Sequence, residues 1–181
     1  MHTQTSLRIG AKLPDFDLLG TDGKNHSPAS FASNKILIVM FTCNHCPYVK
    51  AYEGRLINIQ SDYKDKGVSF VAINSNDENN YPEDNFESMV KRAKEKEFNF
   101  PYLRDKTQEV AKLFGAVRTP EIFLFDKDRV LRYHGEIDDN WKEPNNVTRH
   151  TLRNAIDSLL SGKEPSDPET HAIGCTVKWS N

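Results

Sequence analysis

The sequence predicts a three-layer α/β domain with a mixed central sheet and an N-terminal β-hairpin extension. Three observations carry that expectation. First, Ile36–Phe41 is an unbroken apolar run rich in β-branched residues, which suits a strand buried on both faces. Second, apolar residues then recur at Val49, Tyr52, Leu56, Ile59 and Tyr63, a helical stripe, and a second buried run, Val68–Asn74, follows it. Strand, helix and strand in that order make a parallel unit with a right-handed crossover. Third, Glu121–Phe125 and Val130–His134 are separated by a turn at Asp126–Arg129 and should pair antiparallel, which makes the sheet mixed.

Taken in order, Phe16–Leu19 and Lys24–Ser27 flank Asp22-Gly23, a tight-turn pair, and form the opening hairpin. The helix beginning near Asn44 ends near Gly67, a residue suited to a left-handed cap. The polar stretch Asn74–Asn85 comes next. It either borders a ligand site at the strand ends or is a solvated insertion. Asp84 with Glu87 is a capping-box pattern opening a helix whose inner stripe is Phe86, Met89, Val90 and Ala93, and Lys91, Arg92, Lys94 and Lys96 form its solvated face. Pro101–Leu103 is extended. Asp105 with Gln108 caps a helix stopped by Gly115, and a last helix spans Asn146–Leu160, with Val147, Leu152, Ile156 and Leu159 inward.

The 181 residues form one domain, with its core at 9–162 and a tail at 163–181. A net charge of −2 with mixed signs gives no footprint for nucleic acid or an anionic membrane. No apolar run approaches the ~20 residues that span a bilayer. Met1–Lys12 lacks the apolar core of a secretory signal, so the expected compartment is cytoplasmic. Three cysteines are too few for a disulfide framework.

Cys43 and Cys46 sit where the buried strand turns into the helix. A helix N-terminus carries roughly half a positive charge and unpaired N–H groups, which favour a thiolate. Cys43, expected in the first turn and nearer solvent, should have a lowered pKa. His45 between the cysteines is the tuning group. Cys43 would attack a substrate disulfide, and Cys46, within reach to close a disulfide, would resolve the intermediate.

Strand, Cys-X-X-Cys, helix and a later Thr119-Pro120 before a hairpin resemble the thioredoxin-like superfamily. The opening Ile9-Gly-Ala-Lys-Leu-Pro-Asp-Phe is similar to the redoxin and alkyl hydroperoxide reductase/thiol-specific antioxidant branch. Cys-Asn-His-Cys-Pro together with the tail Gly174-Cys-Thr-Val-Lys-Trp179 resembles the peroxiredoxin-like thioredoxin proteins. The resemblance implies a thiol–disulfide oxidoreductase that needs no bound cofactor or metal. Its partners would be disulfide-bearing proteins or small thiols, with an upstream thiol electron donor. It further implies that Pro120 is cis beside the cysteines and that Thr119 offers its backbone to an extended substrate. Two positions depart from thioredoxins. Thr42 stands where they have Trp, and Leu37 stands where they have a buried Asp, which leaves the general base for Cys46 unassigned.

Two other readings compete. A peroxiredoxin-like peroxidase would use Arg132, which resembles that family's second arginine, but Ile36 and Met40 occupy the places of its Pro and Thr. A zinc protein would use Cys43, Cys46, His171 and Cys175. Cys175 is either a small half-buried residue of a docked tail or a third redox thiol. Trp141 is expected to anchor a loop. His26, His134 and His150 are expected to be surface or hydrogen-bonded residues.

Overall fold

A computed structural model describes residues 6–181. The first five residues of the N-terminal stretch lie outside it. The strands are β1 (Leu18–Gly20), β2 (Asn25–His26), β3 (Ile36–Thr42), β4 (Val68–Asn74), β5 (Tyr102–Arg104), β6 (Arg118–Thr119), β7 (Glu121–Phe125), β8 (Leu131–Gly135) and β9 (Cys175–Thr176). The helices are α1 (Pro47–Tyr63), α2 (Phe86–Glu95), α3 (Glu109–Phe114) and α4 (Thr151–Leu160).

The central sheet has the order β2-β1-β5-β4-β3-β7-β8, so the opening hairpin extends one edge. β3 lies at its heart with all seven residues buried. It pairs parallel with β4 from Ile36↔Val68 to Thr42↔Asn74, and antiparallel with β7 from Leu37↔Phe125 to Phe41↔Glu121. The sheet is therefore mixed. Side chains alternate along a strand, so β3 supplies both faces. Ile36, Ile38 and Met40 pack with Tyr52, Leu56, Ile59 and Tyr63 of α1 and with Leu152 and Ile156 of α4. Leu37, Val39 and Phe41 pack on the other face with Phe16, Phe31, Val110 and Phe114. There Phe41, Phe114 and Phe123 meet edge to face at centroid distances of 5.2–5.8 Å. Such pairs add roughly 0.5–1.5 kcal/mol each beyond area burial.

Three helix starts fall later than the sequence suggests, and each has a local cause. α1 begins at Pro47 rather than near Asn44, because Cys46 is extended (φ −68°, ψ 128°) and Asn44 is bound elsewhere. Its backbone N–H donates to Asp84 Oδ1 at 2.7 Å, and its side-chain amide donates to Glu83 O at 2.8 Å. α2 begins at Phe86 because Asn85, not Asp84, caps it, accepting from Ser88 N at 2.8 Å. α4 begins at Thr151. Residues 144–146 form a separate 3₁₀ turn, and Val147 after them is extended. At the other end of α1, Gly67 takes the expected left-handed conformation, with φ 81°.

The tail carries β9, which pairs antiparallel with β6 as Arg118↔Thr176 and Thr119↔Cys175. This small second sheet brings residue 175 back to the C-terminal end of β3.

Candidate active site

The site begins where β3 ends. Cys43 follows Thr42 directly, the chain bends through Asn44 and His45, and Cys46 is the N-cap of α1. Both cysteines are buried, at 1% and 0% exposure, so Cys43 is not the solvent-facing thiol the sequence suggested. It also precedes the helix instead of sitting in its first turn. The electrostatics follow this placement. Cys46 is held down to about 4, chiefly by the hydrogen bond from the Cys43 thiol, with further help from the Cys175 thiol and the Val49 backbone N–H. Cys43 is pushed up by that same hydrogen bond, by burial and by the nearby Asp84 carboxylate. The two sulfurs are therefore pushed apart, with the proton favoured on Cys43 and the charge favoured on Cys46 at the helix mouth.

Thr119, joined to Pro120 by a cis peptide bond, lies against these sulfurs. Thr119 Oγ1 is 3.6 Å from Cys43 Sγ. Thr119 O is 3.4 Å from Cys46 Sγ, an acceptor for that thiol when it is protonated. Buried Glu121 pins the segment. Its Oε2 accepts from the backbone N–H groups of Val117 (2.7 Å) and Arg118 (2.9 Å), and its Oε1 meets His134 Nε2 at 2.8 Å. Sequence reasoning passed over Glu121, although a lone acid opening the strand Glu121-Ile-Phe-Leu-Phe was a signal for it.

The polar stretch 74–85 forms one wall of the site. Asp84 is fully buried. It accepts from Asn44 N, from Asn74 Nδ2 (3.1 Å) and from Asn76 Nδ2 (3.0 Å). His45 Nδ1 lies 2.6 Å from Asp84 Oδ2, and the imidazole stacks on Tyr81 at 5.6 Å. Ligand atoms of Cys43, His45 and Asp84 lie within 4.8 Å of one another, the only such cluster among the described residues. Both Asp84 oxygens already accept from neighbouring amides, whereas the buried His45 Nδ1 beside them makes no well-aligned hydrogen bond. The set Cys43, Cys46, His171 and Cys175 is not assembled as a metal cluster, and His171 is exposed.

The tail closes the site from the opposite side. Val177 N donates to Val117 O at 3.0 Å, Asp77 N donates to Lys178 O at 2.8 Å, and Lys178 N donates to Asn76 Oδ1 at 2.9 Å. Gln108 Nε2 also donates to Lys178 O at 2.8 Å. Cys175 Sγ thereby comes 2.8 Å from Cys46 Sγ. The Thr119 backbone edge expected to meet substrate is occupied here by this chain's own Cys175.

Other expected residues lie elsewhere. Arg132 pairs with Asp126 (2.7 Å) and Glu164 (3.3 Å) and lines a hollow with Lys35 and Ile36, at the end of β3 opposite Cys43. Seven strand residues, at about 3.3 Å each, separate it from the sulfurs. It cannot act on a peroxide at Cys43. Trp141 packs at a tilt against Tyr48, with ring centroids 4.4 Å apart, and its carbonyl accepts from Arg55 Nη2 at 2.6 Å, which makes it a loop anchor. His134 is bound to Glu121, and His26 pairs with Asp22 at 2.9 Å.

The sequence profile of the Redoxin family matches residues 8–154. The thiol-disulfide oxidoreductase ResA of Bacillus cereus is 28% identical over 127 residues, covering 69% of this chain and 68% of the relative. A solved structure of an uncharacterized conserved protein from Geobacillus kaustophilus is 44% identical with a TM-score of 0.89, covering 96% of this chain and 93% of that one. A hypothetical protein of Sinorhizobium meliloti 1021 is 38% identical with a TM-score of 0.91, covering 97% of both chains.

Proposed function

Since the chain belongs to the redoxin family and has the thioredoxin-like fold, we propose that it is a thiol–disulfide oxidoreductase working through Cys43 and Cys46. The observation that carries this reading is the placement of two cysteines that pack together where β3 meets the N-terminus of α1. Their interaction lowers the Cys46 pKa and raises that of Cys43. The resemblance to ResA, named as a thiol-disulfide oxidoreductase, supports it.

In the proposed cycle the Cys43 sulfur attacks a substrate disulfide while its proton passes to the Cys46 thiolate. Cys46 thereby serves as the internal base that Leu37 cannot provide. One substrate sulfur leaves as a thiolate and takes a proton from solvent. Cys46, still facing the Cys175 thiol and the Val49 backbone N–H that lower its pKa, then loses its proton and attacks the Cys43 sulfur of the mixed disulfide. The Cys43–Cys46 disulfide forms, and the second substrate sulfur leaves with that proton. The substrate gains two electrons and two protons, and an upstream thiol donor returns the electrons. Disulfide-bearing proteins or small thiol compounds are the proposed partners.

Peptide-disulfide reduction by stopped samples tests the reading. Wild type turns over, Cys43→Ser is inactive, and Cys46→Ser stalls with substrate linked to Cys43. If Cys43→Ser instead captures substrate on Cys46, the two roles are reversed. If wild type exchanges no disulfide at any pH, the reading fails.

A further inference from the structure

We propose that Cys175 is a third exchange thiol, so that the disulfide moves between Cys43–Cys46 and Cys46–Cys175 with Cys46 as the shared sulfur. This inference rests on the redox reading of Cys43 and Cys46 above. Three independent features of the tail support it.

The first is distance. Cys46 packs in one cluster with Cys43, and its Sγ lies 2.8 Å from Cys175 Sγ. The second is that the approach is held by backbone. Cys175 is in register with Thr119 in the β6–β9 ladder, and hydrogen bonds from Val177 and Lys178 hold the strand on its C-terminal side. The third is fit. A Cβ at Gly174 would come 2.2 Å from Thr119 O, so the residue before Cys175 is one that lets the tail backbone lie directly on the segment bearing Pro120. A cysteine that merely filled space would need none of this.

The exchange balances internally. Starting from a Cys43–Cys46 disulfide, Cys175 gives up its proton and its sulfur attacks the Cys46 sulfur. The Cys46–Cys175 bond forms, the Cys43–Cys46 bond breaks, and its electron pair leaves on Cys43. Cys43, beside the Thr119 hydroxyl, takes up a proton, and no net oxidation occurs. Oxidising equivalents then rest on the half-exposed Cys175, where a reducing thiol can reach them, while Cys43 is regenerated. The docked tail also occupies the Thr119 edge, so an extended substrate has to displace it.

Disulfide mapping by peptide mass spectrometry, on full-length protein equilibrated in glutathione buffers of stepped potential, tests the proposal. Wild type should yield both Cys43–Cys46 and Cys46–Cys175 peptides. Cys43→Ser should lose both remaining thiols to a Cys46–Cys175 link within one chain. If Cys175 remains a free thiol in wild type at every potential at which Cys43–Cys46 closes, the proposal is overturned. The same holds if Cys43→Ser links Cys175 only between chains. Cys175→Ser separates the two levels, because Cys43–Cys46 closure in that variant preserves the oxidoreductase reading whatever becomes of the tail.

Discussion

Asp84 Oδ2 stands 2.6 Å from Nδ1 of His45, with the carboxylate wholly buried and the imidazole reaching the surface. The same carboxylate helps push the Cys43 thiol up. Two substitutions should therefore move Cys43 in opposite directions. Asp84→Asn removes the charge and lowers the Cys43 pKa. His45→Ala removes the imidazole that stands against that carboxylate, leaves Asp84 to act on Cys43 alone and raises the Cys43 pKa. The pH midpoint of Cys43 alkylation reads both, with Cys46 and Cys175 replaced by Ser throughout so that one thiol reports. Asp84→Asn also turns an amide donor toward the Asn74 and Asn76 amides, at a cost of about 1–3 kcal/mol. Equal midpoints in all three proteins would remove the electrostatic role.

The reduced site should carry one thiolate at neutral pH. Cys46 is held down to about 4 by its hydrogen bond from Cys43 and by those from Cys175 and Val49. Its unfolded value is about 8.5. The folded value lies below the unfolded one. Its contribution to the stability of the reduced protein is therefore complete above about 8.5 and is lost as the pH falls toward about 4. Ultraviolet thiolate absorbance should rise with a midpoint near that lower value, vanish at neutral pH in Cys46→Ser, and shift upward in Cys175→Ala, which removes one donor. An absorbance at neutral pH that survives Cys46→Ser unchanged would move the charge to Cys43.

Glu121 should matter to catalysis without touching a sulfur. Its carboxylate ties the backbone of Val117 and Arg118 to His134, and so sets where Thr119 stands. Glu121→Ala leaves two backbone N–H groups without their acceptor, an expected loss of about 2–4 kcal/mol in denaturant unfolding. Disulfide exchange should slow under conditions where the variant is still folded, and Glu121→Gln, which keeps one carbonyl acceptor, should recover part of both losses. A variant that is less stable but exchanges at the wild-type rate would make Glu121 purely structural.

The strands, the first helix and the position of the cysteine pair were legible because each has a local cause. The Ile36–Phe41 run can only be buried, and the stripe from Val49 to Tyr63 fits only a helix. The site's other members were not, because their roles arise from contacts across the chain. Asp84 reads as a helix cap next to Glu87, yet it turns inward to Asn44, and Asn85 takes over the capping. With Asn44 held by Asp84, α1 starts at Pro47 and Cys46, not Cys43, stands at its N-cap. Arg132 resembled a peroxidase residue by its neighbours in sequence, but the strand direction carries it to the far end of the sheet. The tail had no period to read. Its placement depends on single backbone and amide hydrogen bonds to Val117, Asn76 and Gln108.

Gly174 gives the sharpest handle on that tail. It has no left-handed backbone conformation to protect, so the constraint is space alone. A Cβ there meets Thr119 O at 2.2 Å and Thr119 C at 2.7 Å, both backbone atoms of a segment held by Glu121. They cannot swing aside as a side chain would. Overpacking of this kind costs about 1–3 kcal/mol, and the tail, joined by a two-residue ladder, is the part that yields. Gly174→Ala should therefore release β9 while the central sheet stays intact. Cys175 alkylation should accelerate about ten- to hundredfold, since each 1.4 kcal/mol is roughly a factor of ten. Gly54→Ala, in α1 with no atom near the added Cβ, is the control, and should stabilise the helix by about 0.5–1 kcal/mol and leave Cys175 as slow as in wild type. If both variants leave Cys175 equally protected, the close approach of Gly174 to Thr119 is not what holds the tail on the cysteines.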